Sequence, residues 1–126
     1  MTATAVTGVR LGSVVLGSVD PQRLRSWYAG ILATGSDDDG IALELGGDSR
    51  LIFDRRSDVA ATSPEPGRVL VNLYVDDIEA VTARLAGLDV VWVRPVGPFP
   101  PGLIGTIQDP DGNYVQFIQF VRRPAA

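Results

Sequence analysis

The chain repeats itself. Eight residues, Ser13-Val14-Val15-Leu16-Gly17-Ser18-Val19-Asp20, return as Leu70-Val71-Asn72-Leu73-Tyr74-Val75-Asp76-Asp77. The apolar positions and the closing acidic residue coincide. Each copy reads as a strand that stops at a helix cap, because an Asp side chain accepts the orphan N–H groups of a first helical turn. The residues after each cap agree. Asp20-Pro21 starts a helix over Pro21–Leu32, with Leu24, Trp27, Tyr28 and Ile31 at three- and four-residue spacing. Asp76-Asp77 starts another through Ala86, with Ile78, Val81 and Leu85 on one face. Units of about 50 residues pack pairwise, each covering what the other cannot bury.

The rest of each unit reads as strands. After the first helix come a short strand near Thr34–Ser36, the acidic turn Asp37–Gly40, a strand over Ile41–Leu45, the turn Gly46-Gly47-Asp48 and a strand over Arg50–Arg55. Residues 56–67 hold Ser63-Pro64-Glu65-Pro66-Gly67 and read as a linker. The second unit has strands over Arg68–Val75, Val90–Arg94, Leu103–Gln108 and Asn113–Phe120, a Pro/Gly-rich loop over Val96–Gly102, and the turn Asp109-Pro110-Asp111-Gly112. The expectation is an α+β fold of two tandem βαβββ modules, 10–55 and 68–121, within one domain over residues 1–126.

Composition narrows the chemistry. All 11 basic residues are Arg; there is no Lys, His or Cys. That excludes a thiolate nucleophile, a disulfide framework, a Schiff base, a P-loop lysine and a Ser-His-Asp triad. A net charge of −4 without a basic stripe argues against nucleic acid. No apolar run reaches the roughly 18–20 residues that span a bilayer. Met1–Thr7 has no charged stretch before an apolar one, so the expected location is the cytoplasm.

Residues 10–121 resemble the vicinal oxygen chelate superfamily, the glyoxalase, bleomycin-resistance and extradiol dioxygenase group. The residues that carry the likeness are Val19-Asp20, Trp27-Tyr28, Val75-Asp76-Asp77 and Asp109-Pro110-Asp111-Gly112-Asn113-Tyr114-Val115-Gln116-Phe117. The resemblance implies a mixed sheet curled around a central pocket, in which the enzymes of the group hold a divalent metal. Carried over one at a time, the metal-ligand positions fall on Ser13, Leu70, Gln116 and Ile52. Two are aliphatic, and Ser and neutral Gln are weak ligands for an ion that prefers carboxylate or imidazole. No metal and no cofactor are therefore expected.

Period-two alternation points Ser13, Val15, Gly17, Arg50, Ile52 and Asp54 into the cup from the first module. Leu70, Asn72, Tyr74, Tyr114, Gln116, Ile118 and Phe120 join them from the second. The candidate ligand-binding residues are Ser13, Arg50, Asn72, Tyr114 and Gln116, with Trp92 and Phe99 as stacking surfaces at the wall and mouth. Asn72 on a buried face needs partners, from a ligand or from water. Asp54 and Arg50 either pair at a rim or serve a ligand. Tyr74 and Tyr114 also read as core packing, and Phe99 as a lid or a plug.

Likeness to the bleomycin-resistance branch implies metal-free binding of a small organic molecule in a groove between two copies of a homodimer. An acidic chain with aromatics at the mouth suits a cationic, planar natural product. The alternative is a metal-independent isomerase, cyclase or lyase, with Asp54 as catalytic acid/base and Tyr74 or Arg50 polarising an oxygen. A metal-dependent glyoxalase or dioxygenase and a pure association module complete the set.

Overall fold

The structure, a computed structural model, describes residues 4–32 and 40–121. Strand β1 (Ser13–Ser18) leads to helix α1 (Pro21–Leu32), then β2 (Ala42–Glu44) and β3 (Arg50–Arg55). The second half runs β4 (Val71–Tyr74), α2 (Ile78–Ala86), β5 (Val91–Phe99), β6 (Gly102–Gln108) and β7 (Tyr114–Phe120). The expected strand near Thr34–Ser36 and the turn Asp37–Asp39 lie outside the described residues.

Both helices start where the acidic residues stand. The Asp20 carboxylate accepts from the Arg23 N–H at 3.2 Å, and that of Asp77 from the Ala80 N–H at 3.1 Å. The Gln119 amide oxygen takes the Ile78 N–H at 2.7 Å, so a side chain from β7 fixes the start of α2.

The strands form two mixed sheets, ordered β1-β3-β2 and β4-β7-β6-β5. The repeat is visible in their register. Val14 lies opposite Leu51 in the parallel pair β1/β3, and Val71 opposite Val115 in the parallel pair β4/β7. These four residues turn towards the helices. Leu24 and Tyr28 of α1, Phe53, Ile78 and Leu85 of α2, Ile107, Val115 and Phe117 join one core cluster drawn from both modules. Each such side chain contributes roughly 1.5–3 kcal/mol on burial. The modules are also tied by polar contacts: Arg84 donates to the Gly30 carbonyl at 2.7 Å, and the Tyr28 hydroxyl to Asp109 at 2.7 Å.

One expectation is corrected. Val96–Gly102 is not a loop: β5 continues to Phe99 and pairs with β6 down to Gly102. β5 is an edge strand, where Pro95 and Pro98 cost no hydrogen bond on the outer side. Two register shifts, between Trp92 and Arg94 and between Arg94 and Gly97, absorb the irregularity.

Candidate functional site

Each sheet has a helix-covered face and an outer face, and the residues between those of the core occupy the outer one. In β4, Val71 and Leu73 are buried while Asn72 and Tyr74 are exposed. In β3, Leu51 and Phe53 are buried and flank half-buried Ile52. The alternation read from the sequence therefore describes this outer face, with one correction: Asn72 is exposed there, not on a buried face, because the face carries no helix.

A polar row crosses the second sheet there. Arg94 lies opposite Thr106, Thr106 opposite Gln116, and Gln116 opposite Asn72. The Thr106 hydroxyl donates to Gln116 Oε1 at 2.9 Å, and Gln116 Nε2 donates to Asn72 Oδ1 at 2.7 Å. Thr106 is 3% exposed, so this bond satisfies a buried hydroxyl. Apolar and aromatic groups flank the row. Tyr74 meets Phe120 edge-to-face with centroids 5.0 Å apart, and the Arg94 guanidinium lies 5.8 Å from the Phe99 ring centre.

Asn72 also stands at the meeting of the modules. With Ser13 and Arg50 it lines a hollow of about 100 Å³. With Tyr74 it lines a cleft of about 420 Å³, between the free edge of β4 and the β2–β3 turn at Gly46 and Ser49. A further cleft of about 690 Å³ continues past Tyr74 to Phe120. The structure thus brings Ser13, Arg50, Asn72 and Gln116 into one neighbourhood.

Other candidates are placed elsewhere. Tyr114 starts β7 beside the linker; a Cβ at Gly67 would touch its ring at 3.8 Å. Trp92 lies opposite Ile107, on the helix-covered face, and its ring and Val96 occupy the space that Gly105 leaves by lacking a side chain. Asp54 pairs with Arg56 at 3.4 Å, not with Arg50, and both side chains are 48% exposed. Arg56 also holds Asp58 at 2.6 Å, and its hydrogen bond draws the Asp58 carboxyl below the ordinary range. The same Arg56 side chain lies across Gly17, where a Cβ would collide with it. Asp54 and Tyr74 belong to different sheets, and no bond joins them among the described residues.

Sequence reasoning does not find Arg94 and Thr106. Thr106 sits two strands from Asn72, a relation that only the pairing reveals, and the bulge at Val93 breaks the alternation that would flag Arg94.

The buried ionisable pair lies away from this face. Asp109 accepts on Oδ1 from the Asp111 and Asn113 N–H groups at 2.9 and 3.0 Å, and on Oδ2 from Asn113 Nδ2 and Tyr28. Burial lifts the Asp109 carboxyl above its ordinary range, against the bonds from Asn113 and Tyr28 that hold it down. Burial, and then the Asp109 charge, push the Tyr28 hydroxyl well above the usual tyrosine value. This cluster is a clasp between α1 and the Asp109–Asn113 turn.

The donor set does not suit a divalent ion. Ile52 and Leu70 offer no lone pair, and the Gln116 amide is engaged at both ends, by Thr106 and by Asn72. Among the described residues no three His, Cys, Asp or Glu side chains gather as metal ligands.

A family profile for a glyoxalase-like domain matches residues 13–118. No curated protein matches the sequence. Solved structures match over most of the chain. "Oxidase ChaP-H2" is 16% identical with a TM-score of 0.72, covering 95% of this chain and 98% of its own. TnmS3, an antibiotic binding protein from Streptomyces sp. CB03234, is 22% identical with a TM-score of 0.65, covering 92% and 99%. TioX from Micromonospora sp. ML1 is 18% identical with a TM-score of 0.68, covering 90% and 100%.

Proposed function

The chain belongs to the glyoxalase-like domain family of the vicinal oxygen chelate superfamily, and from that premise we propose that it binds a small, flat organic molecule without a metal, in the manner of an antibiotic-sequestering protein. The observation that carries the reading is the state of Gln116. At the position where the superfamily's enzymes supply a carboxylate ligand, this chain has a neutral amide whose oxygen and nitrogen both serve the row across the sheet. The residues left for a ligand are hydrogen-bonding groups beside aromatic and aliphatic surface, the makeup of a binding groove. The similarity to TnmS3, described as an antibiotic binding protein, agrees in fold.

The groove is completed by a second copy in this reading, giving a cytoplasmic homodimer. β1 and β4 are edge strands, and Val15 (54% exposed), Leu70 (38%) and Tyr74 (70%) are exposed on or beside them. Exposed apolar side chains of this kind support a contact with a second copy.

Calorimetric titration with a panel of polycyclic and peptide antibiotics, alongside sedimentation, tests the proposal. The expected result is saturable binding by at least one planar compound to a dimer. A panel that produces neither heat nor a shift in melting temperature overturns it.

A further inference from the structure

The binding face is one-sided in its hydrogen-bonding chemistry. The direction of the row is set at its buried end. Thr106 has one hydrogen to donate, and Gln116 Oε1 takes it. Reversing the Gln116 amide would set its N–H donors against that hydroxyl in place of the acceptor. Gln116 therefore points Nε2 at Asn72 and occupies one lone pair of the Asn72 carbonyl oxygen. Among the described residues, neither Asn72 amide hydrogen has a partner.

The surroundings of Asn72 supply more donors. Arg50 and Ser13 share its 100 Å³ hollow. Arg50 has no ion pair among the described residues, although Glu44 stands opposite it on β2. The one carboxylate further along the outer face of β3, Asp54, is taken by Arg56. At the far end of the row stands Arg94, also without an ion pair among the described residues, its guanidinium over Phe99. The strands are about 4.8 Å apart, so Arg94 and Asn72 are separated by roughly 14 Å of sheet. The row thus carries a cation at one end and a cluster of unspent donors at the other.

We propose that the ligand is acceptor-rich: a flat aromatic that presents an anionic or carbonyl oxygen, such as a carboxylate or an ionised phenol, to the Asn72 amide hydrogens and Arg50. This rests on the binding role proposed above and reverses the cationic ligand that the net charge suggests. The charge of −4 acts over distance and is screened within about 8 Å at physiological salt, whereas contact with Asn72 and Arg50 is local.

Two probes with one ring system separate the possibilities. Anthraquinone-2-carboxylate and 2-(aminomethyl)anthraquinone are titrated calorimetrically into the full chain at physiological salt. The carboxylate is expected to bind at least about tenfold more tightly, the ratio that one charge-assisted hydrogen bond supplies. Asn72→Asp replaces the amide hydrogens with a second negative oxygen and is expected to erase or invert that preference. Arg50→Gln, at an exposed position, is expected to weaken the carboxylate alone. An ammonium probe that binds as well as the carboxylate, or variants that leave the ratio unchanged, overturns the polarity while leaving the binding role intact. If neither probe binds, the ligand class is wrong, and the broader antibiotic panel decides the binding role separately.

Discussion

Removing one oxygen atom from the clasp between the modules should be costly. Tyr28→Phe keeps the ring and its contacts with Trp27 and Phe53, whose centroids lie 4.9 and 5.6 Å away. It deletes the hydroxyl that donates to Asp109 at 2.7 Å, between residues 1% and 5% exposed. A hydrogen bond to a charged group contributes about 1.5–3 kcal/mol, and Asp109 keeps its three other donors, so the loss should be about 2 kcal/mol. For a chain of this size that lowers Tm by roughly 6–10 °C. The pH dependence gives a second signature. Tyr28 has its ionisation pushed well above the ordinary value in the fold. Its contribution is full below the unfolded tyrosine value of about 10 and falls away as pH rises above it, because only the unfolded chain can then release the proton. Thermal melts of both proteins from about pH 7 to 11, a range that brackets that value, should show wild type losing its advantage over Tyr28→Phe at the alkaline end. A variant within about 1 °C of wild type at neutral pH, or a constant gap across the range, would deny the hydroxyl this role.

The same contacts set further outcomes. Asp77→Ala removes the acceptor of the Ala80 N–H and should cost about 1 kcal/mol in chemical denaturation, with Asp77→Asn nearly neutral. Gly102→Ala would drive a Cβ into the Gln119 carbonyl and the Phe120 backbone, so that variant should be recovered mainly as insoluble or unfolded protein, as circular dichroism would show. Asp54→Asn breaks a half-exposed ion pair with Arg56 and should change Tm by less than about 3 °C, without altering ligand affinity; a large loss of affinity would return Asp54 to the site.

The helices are legible in the sequence because their signals are local: Asp20-Pro21 and Asp77 mark starts that a side chain within three residues satisfies. The alternating faces of β1, β3, β4 and β7 are legible because period two survives in regular strands. The second sheet's far edge is not. Pro95 and Pro98 read as breakers, yet an edge strand needs hydrogen bonds on one side only. Trp92 reads as a stacking wall; whether it faces the ligand or the core depends on the bulge at Val93 and on the space at Gly105, both relations to another strand. The row from Arg94 to Asn72 draws one residue from each of four strands, and no sequence spacing encodes it. Asp109 stands out as a turn residue, but its bond to Tyr28 spans 81 positions.

If the face around Asn72 and Gln116 holds its ligand without a metal, added or removed ions should not matter to binding. The most direct measurement is calorimetric titration of the tightest-binding compound into protein treated with EDTA and into protein supplied with zinc or manganese, followed by mass spectrometry of the recovered compound. Metal-free binding predicts the same affinity and stoichiometry in both samples and an unaltered compound. Binding lost with EDTA and restored by the ion, or a compound returned chemically changed, would contradict it.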